Sequence, residues 1–594
     1  MKVLMSGNEA IARGAFEHGV RFAAGYPGTP STEIIETFAT YEGVYAEWSP
    51  NEKVALEVGI GVALAGAKSL VVMKHVGVNV AADPLFTLSY TGTNGSLVLI
   101  TADDPSLHSS ENEQDNRNYA KFAKIPMIEP GDSEEAKDYI KIAFDISEEF
   151  DTPVFLRTTT RVSHSKSVVT IGDPLPADDR TAITIDAEKY VMVPAYARAR
   201  RIVVEKRIEK LKEYAESFPG NRMEINDTEV GIITAGMPYN YAKDVFPDFS
   251  YLKLGMVYPL PSRLIRKFAS KVRKIYVIEE LDPFIEEQIR AMGIKVIGKE
   301  IFPYTNEFDP GVIDASMKRR KRKTAVLQDV TVPPRPPNLC PGCPHRGLFY
   351  VLGKEKAFVA GDIGCYTLSF MKPLEGLHST ICMGASIGMA HGMDKALKDK
   401  GKGKVVGVIG DSTFIHSGIT PLLNIAYNKG NAVIVICDNR TTAMTGMQNH
   451  PATGYTLQGD ETKVLDFAKL ASVLGIDSVR TVDPYDIEET RKVMREELAR
   501  PGSSVVISQR ACVLLRKRRA DTMKAFRVDA DKCIGCKACI GLGCPAISWL
   551  KDASGKAIKG GKEREGFAFI DTELCTGCTL CDQVCKVGAI IEVT

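Results

Sequence analysis

The stretch "GDSTFIHSGITPLLNIAYNKGNAVIVICDNR", residues 410–440, decides the fold class. It opens on Gly410-Asp411 at the end of the apolar run "KVVGVIGD" and closes on Asp438-Asn439 at the end of a second run, "NAVIVICDN". Both runs read as strands of an α/β unit, so two strand ends can present oxygen ligands to one hard cation. Mg²⁺ takes such oxygens and usually keeps phosphate oxygens as well. Asp411 offers a carboxylate, Asn439 an amide oxygen and Thr441 a backbone carbonyl. Ligands at strand C-termini follow the general rule for open α/β sheets.

The surrounding α/β unit runs from about Asn338 to Val513 and adds "SSVVISQ" (503–509) as a further strand. Upstream, from Met1 to about residue 175, short apolar strands alternate with helical patterns. "SLVVMKHV" (69–76) and "GSLVLITADD" (95–104) read as buried parallel strands. The helix before them, "EKVALEVGIGVALAGA" (52–67), has small residues for close packing. Residues 186–228 read as helical, charged and exposed. A further α/β unit starts at "TEVGIITAGM" (228–237) and continues through "KIYVIEELDPFIEEQIRAMG" (274–293). The basic run Lys318–Lys323 reads as a solvated linker and not a nucleic-acid patch, because a proline-rich segment follows at once. A second basic linker, "LRKRRADTMKAFR" (515–527), leads to the tail.

The tail holds eight of the fourteen cysteines, in "CIGCKACIGLGCP" (533–545) and "CTGCTLCDQVCK" (575–586). The two stretches resemble each other, which suggests an internal duplication. Cys533, Cys536 and Cys539 follow a C-x2-C-x2-C pattern, repeated by Cys575, Cys578 and Cys581. Turns of this spacing aim three thiolates at one cubane, and the fourth cysteine closes the cube of the other cluster. This assigns Cys533, Cys536, Cys539 and Cys585 to one 4Fe–4S cluster, and Cys575, Cys578, Cys581 and Cys544 to a second. Zinc sites usually use two C-x2-C pairs, not two triplets. The region is similar to a bacterial two-cluster ferredoxin domain, with two departures. Four residues separate Cys539 from Cys544, and Lys586 follows Cys585 where the pattern has proline. Ferredoxin modules move single electrons, so the rest of the chain should make or use them.

Lys+Arg (75) and Asp+Glu (74) cancel, so net charge gives no sign of nucleic-acid or membrane binding. No stretch of about 18 apolar residues is present, and the N-terminal segment lacks the apolar core of a secretory signal. A cytoplasmic location is the default expectation, and there closely spaced cysteines bind metal more often than they form disulfides.

Gly-Asp and Asp-Asn at this separation resemble the thiamine-diphosphate signature. Ser412 stands where that signature has its third glycine, and Asp438 where it has its first asparagine. "CPGCPHRG" (340–347), "GDIGCYTL" (361–368) and "HSTICMGASIGMAHG" (378–392) are similar to the cofactor-binding half of the 2-oxoacid:ferredoxin oxidoreductases. The resemblance implies thiamine diphosphate and Mg²⁺ at Asp411, Ser412, Asn439 and Thr441. It implies a coenzyme-facing helix start at Gly384-Ala385-Ser386, with Met383 and His345 also at the cofactor. It further implies a third 4Fe–4S cluster on Cys340, Cys343, Cys365 and Cys512. Cys382 and Cys437 lack partners at ligand spacing and read as structural thiols.

"GYPGTPSTEI" (25–34) and "SPNEKVALEVGIG" (49–61) look like the other, activating half of such enzymes. By that resemblance Glu52 is the carboxylate that bonds N1′ of the aminopyrimidine, and its place at a helix start suits an anion. Thr29 matches a threonine that contacts the substrate carboxylate. Arg117 is the candidate for gripping the same carboxylate with two hydrogen bonds. His75, Asn79 and His108 are candidates to line the site. The order of parts, with "KHVGVNVAADP" (74–84) and "HSSENEQDNR" (108–117), is similar to the large subunits of the branch that oxidises aryl 2-oxo acids.

The expected architecture is therefore α/β. It comprises an aminopyrimidine-binding domain (1–180), a linker and middle α/β domain (181–325), a diphosphate- and Mg-binding domain (326–520) and a two-cluster ferredoxin-like domain (521–594). The resemblance implies oxidative decarboxylation of indolepyruvate, phenylpyruvate or hydroxyphenylpyruvate. The acyl group passes to coenzyme A and the electrons to an external ferredoxin, in an α2β2 assembly with a smaller β subunit. The residues themselves do not show the aromatic preference. The alternatives are another 2-oxoacid oxidoreductase of the family, an electron-transfer subunit without its own catalysis, and a non-redox decarboxylase. Intact Asp411, Asn439 and Glu52 oppose the second, and the tail opposes the third.

Overall fold

The computed structural model describes residues 1–176, 184–321, 336–355, 357–397, 403, 405–515, 524–551 and 564–593. The basic run Lys318–Lys323 and the linker 515–527 lie partly outside them. The chain divides into two compact units, Met1–Val330 and Thr331–Thr594.

The first unit is built on a seven-stranded sheet. Its order is Met256–Tyr258, Met127–Ile128, Val154–Thr159, Ser96–Asp103, Lys68–Lys74, Phe22–Gly25, Tyr45–Trp48. All pairs are parallel except the first, where Met256–Tyr258 runs antiparallel to Met127–Ile128. Every residue of Ser96–Asp103 is buried, as expected of a strand covered on both faces. A second sheet, in the order Lys274–Ile278, Val230–Ala235, Ser250–Leu254, Arg222–Glu224, lies in the stretch expected to be the middle α/β domain. The two sheets share one apolar core, in which Leu56, Val71, Leu99 and Phe155 join Ile233, Leu252, Val257 and Phe268.

Two expectations need correction here. Residues 186–228 are not helical throughout, because Arg222–Glu224 pairs antiparallel with Ser250–Leu254. Nor is the Pro194–Ala215 helix a purely exposed connection. Val204, Arg207, Ile208, Leu211 and Ala215 are buried, a stripe at helical spacing.

The second unit carries a five-stranded, all-parallel sheet. Its order is Phe358–Ala360, Val405–Gly410, Val433–Asp438, Ser504–Gln509, Ser478–Val482. The tail consists of two antiparallel ribbons. Phe526–Val528 pairs with Ile590–Glu592, and Ile547–Lys551 with Gly566–Ile570. Each cysteine stretch is thus bracketed by two strands. The outer strand of one half pairs with the outer strand of the other, and inner with inner, which is the geometry of a duplicated unit. The tail packs on the sheet domain through one core that includes Leu348, Phe349, Leu542, Leu580, Cys581 and Ile590. Among the described residues no helix is long and apolar enough to cross a membrane.

Candidate active site

In the second unit four strands deliver their C-terminal ends to one sheet edge. Phe358–Ala360 leads to Asp362, Val405–Gly410 to Asp411, Val433–Asp438 to Asn439 and Ser504–Gln509 to Cys512. Asp411 is buried. Its Oδ1 accepts the N–H of Ser412 at 2.9 Å, and its Oδ2 those of Asn439 at 3.2 Å and Arg440 at 2.8 Å. The end of the second strand therefore fixes the carboxylate at the end of the first. Asn439 Oδ1 accepts from Thr441 N at 3.1 Å. The side chains of Asp411 and Asn439 thus bring a carboxylate and an amide oxygen to the same edge of the sheet. Buried His450 places Nε2 3.2 Å from Asp411 Oδ2. Burial pushes His345 down to about 4, against the pull of Asp411. Burial holds the Asp438 carboxyl above its ordinary range, and the like charge of Asp411 adds to this.

The start of the Ala385–Leu397 helix is organised by Asp362. Its Oδ1 accepts from Gly384 N at 2.9 Å and its Oδ2 from Ser386 N at 3.1 Å. Burial lifts this carboxyl to about 6, while those backbone donors oppose the shift. Met383 is half-buried beside this turn.

The thiols fall into three groups. Cys340, Cys343, Cys365 and Cys512 are electrostatic neighbours. Burial raises Cys343, and Cys365 and Cys340 reinforce it. Burial pushes Cys365 up to about 11, with Cys512 and Cys340 adding. Asp411 also acts on Cys512, so this group borders the oxygen donors. In the tail, Cys533, Cys536, Cys539 and Cys585 rim one cavity. Cys544, Cys575, Cys578 and Cys581 rim another, whose wall includes Gly342 and Arg346. Among the described residues no three His, Cys, Asp or Glu side chains close on a single point as around a lone metal ion. Cys437 is a buried core thiol, whereas Cys382 is exposed and does not pack as expected of a structural thiol.

The Cys340–Cys343 loop touches the tail directly. Gly342 has φ +67°, and a Cβ there would fall 2.0 Å from Thr576 Oγ1, so only glycine fits between the loops. Tyr485 OH donates to the Gly342 carbonyl. Buried Arg346 donates to the carbonyls of Cys340 (3.1 Å), Leu339, Leu542 (3.0 Å) and Gly543 (2.6 Å), binding the two loop systems together.

In the first unit, Thr29, Glu52 and His75 follow the C-terminal ends of three adjacent parallel strands. Asn51 caps the Glu52–Leu64 helix by accepting from Val54 N at 2.9 Å, which leaves Glu52 in the first turn, at the positive end of the helix. Glu52 is buried. A Cβ at Gly77 would lie 2.7 Å from both its Cγ and its Oε1, so Gly77 is shaped around this carboxylate. Thr29 is half-buried. His75 is fully buried with Nε2 3.1 Å from the Asn112 carbonyl. Asn79 bonds Gln114 and Tyr119, and His108 lies 3.2 Å from Glu307.

Arg117 departs from expectation. Its Nε donates to Asp115 at 2.8 Å, Nη1 to Glu279 at 2.7 Å, and Nη2 to Asp115 and to the carbonyls of Glu280 at 2.9 Å and Asp282 at 3.2 Å. A guanidinium so engaged has no free fork for a substrate carboxylate.

The chain is 41% identical to the indolepyruvate oxidoreductase subunit IorA of Archaeoglobus fulgidus, over 99% of this chain and 97% of that one. It is 41% identical to the subunit of the same name from Pyrococcus horikoshii, over 100% and 97%. The chain belongs to the IorA family. More distantly, the 2-oxoglutarate synthase subunit KorA of Methanothermobacter marburgensis matches at 24% identity over 46% of this chain and 87% of its own. The family described as pyruvate flavodoxin/ferredoxin oxidoreductase, thiamine diP-binding, matches residues 13–215. The thiamine pyrophosphate enzyme C-terminal TPP-binding domain matches 362–508, and the 4Fe-4S binding domain 568–591. This IorA-family chain thus has thiamine-diphosphate-binding domains and an iron–sulfur domain. The iron–sulfur match spans Cys575, Cys578, Cys581 and Cys585.

Three residues that organise these loops, Asp362, Arg346 and His450, carry little signal in the sequence. Asp362 and Arg346 lie inside quoted motifs, "GDIGCYTL" and "CPGCPHRG", but act on backbone groups that no local pattern reveals. His450 lies outside every motif. A buried-type charge inside an apolar segment was the only available signal, and Asp362 alone carried it.

Proposed function

We propose that this chain is the large subunit of a thiamine-diphosphate-dependent arylpyruvate (indolepyruvate) ferredoxin oxidoreductase. It oxidatively decarboxylates aryl 2-oxo acids to acyl-CoA and CO₂, with coenzyme A as acceptor and an external ferredoxin as electron sink. It assembles with a smaller β subunit as α2β2, in the cytoplasm, whose reducing conditions suit thiols kept for iron. The observation that carries this reading is the sheet edge of the second unit. It holds the oxygen donors Asp411, Asn439 and Thr441 beside the thiols Cys340, Cys343, Cys365 and Cys512.

When bound, thiamine diphosphate supplies a carbon nucleophile and an electron sink, and 4Fe–4S clusters supply one-electron acceptors. The chain's residues do the rest. Asp411, Asn439 and the Thr441 carbonyl hold Mg²⁺, and Ser412 backs the diphosphate. Gly384 and Met383 border the coenzyme, in a turn that Asp362 fixes. His345, kept neutral at neutral pH by burial, adds no charge there. Glu52 holds a proton at N1′, in the water-poor setting that Gly77 shapes. Thr29 meets the substrate carboxylate. The thiols form three ligand sets: Cys340/Cys343/Cys365/Cys512, Cys575/Cys578/Cys581/Cys544 and Cys533/Cys536/Cys539/Cys585. The Gly342–Thr576 contact brings the first two ligand loops together.

Assayed anaerobically with its smaller subunit, the chain is expected to form acyl-CoA and CO₂ from arylpyruvates while ferredoxin is reduced. Aldehyde release without ferredoxin reduction would overturn the reading, and so would turnover of pyruvate with every arylpyruvate inert.

A further inference from the structure

A broad cleft in the second unit runs between the helices His345–Glu355 and Ile487–Ala499 and the first cysteine loop. Six cations line it, Lys354, Arg491, Lys492, Arg495, Lys537 and Lys586, against two acids, Asp486 and Glu488. The chain as a whole is almost neutral, with 75 basic and 74 acidic residues, so this excess is local. Arg495 is paired with Glu355 at 2.9 Å, but several of the other cations are weakly committed. Lys492 lies 3.5 Å from Glu489 and Lys537 3.7 Å from Glu565, both at the surface, where such pairs contribute little. Nε of Arg491 is buried with no hydrogen-bond partner. Lys586 stands where the ferredoxin-like pattern has proline, so that departure places a cation on the rim. Cys536 opens into the same cleft, and it is the only exposed cysteine of the eight in the tail.

We propose that this cleft is the docking surface for a small acidic one-electron carrier protein. The inference rests on the reading that electrons leave through the tail. Electron transfer slows steeply with separation, so a carrier must seat beside the most exposed ligand, and that ligand is Cys536. A rim with an excess of one sign recruits a partner of the other and sets its orientation, chiefly through association rate and salt dependence. The cations sit on two helices of the sheet domain as well as on the cysteine loop, so a docked carrier spans the junction that Arg346 holds rigid.

The test uses the anaerobically purified holo complex and an acidic two-cluster ferredoxin as probe. Zero-length carbodiimide coupling followed by peptide mapping is expected to join carrier carboxylates to Lys354, Lys492, Lys537 or Lys586, with yield falling as salt rises. The double variant K354E/K492E is expected to weaken carrier binding about tenfold or more and to flatten its salt dependence. Reduction of a cationic viologen dye should persist, which shows that the variant is folded and loaded. Cross-links confined to another surface, or wild-type carrier affinity in the double variant, would overturn the proposal. If no arylpyruvate bleaches the clusters of the wild type, the functional reading fails instead, and the binding and cross-linking results still judge the cleft.

Discussion

Nη1 of Arg117 donates to Oε2 of Glu279 at 2.7 Å across 162 residues of sequence. Asp115 holds the other edge of the guanidinium, and all three side chains are buried. This triad joins the seven-stranded sheet domain to the middle domain within the first unit.

Loss of the Arg117 side chain takes the cation from two buried carboxylates, which costs about 3–5 kcal/mol. Arg117→Ala should therefore lower the thermal midpoint by several degrees while leaving the KM for the 2-oxo acid unchanged in the folded fraction. An unchanged midpoint with a raised KM would return Arg117 to substrate binding.

Glu280 predicts a pH effect of defined sign. Burial pushes it up to about 7, with Phe308 N–H and Arg157 opposing and Glu129 and Glu307 adding. A carboxyl with a raised folded pKa holds its proton more tightly in the folded state. Its stabilising contribution is full below the ordinary value of 4.5 and is lost as pH rises towards about 7. The difference amounts to about 3 kcal/mol. Glu280→Gln should flatten that part of the stability–pH curve, measured by denaturant unfolding from pH 4.5 to 8 and read as the difference from wild type. Parallel curves would show that Glu280 titrates normally.

Gly77→Ala places a methyl group against Glu52. A displacement of about 1 Å at a catalytic group can cost of order a hundredfold in rate. We expect kcat to fall at least tenfold, and adding Glu52→Ala to Gly77→Ala should cost little more than Glu52→Ala alone. Full activity in Gly77→Ala would remove Glu52 from the chemistry.

Arg346→Ala orphans carbonyls of both the sheet domain and the tail, at about 1–3 kcal/mol for each that stays buried. Limited proteolysis should then release the cysteine-rich tail far sooner than in wild type. Unchanged protection would mean that the shared apolar core alone holds the tail.

What the sequence reveals here is what local spacing encodes. Asp411 and Asn439 are legible because each ends a Val/Ile-rich strand, and the cysteine triplets because their period is fixed by the turn they make. Glu52 is legible as the first residue of a small-residue helix. What it hides depends on distant partners. Arg117 reads as a free cation until Glu279 folds onto it. Arg222–Glu224 shows no strand pattern because three residues beside a charged helix carry no period. Met256–Tyr258 joins the first sheet from outside the first domain, a pairing no local signal announces.

The central claim of the proposed function is that Glu52 is needed to activate a coenzyme whose electrons reach iron held by this chain. The most direct measurement is electron paramagnetic resonance with iron analysis on the anaerobic holo complex, before and after one addition of indolepyruvate, in wild type and Glu52→Ala. The account predicts about twelve irons per chain in both proteins, with reduced-cluster signals appearing in the wild type and not in the variant. Zinc in the tail, or signals of equal size in Glu52→Ala, would contradict it.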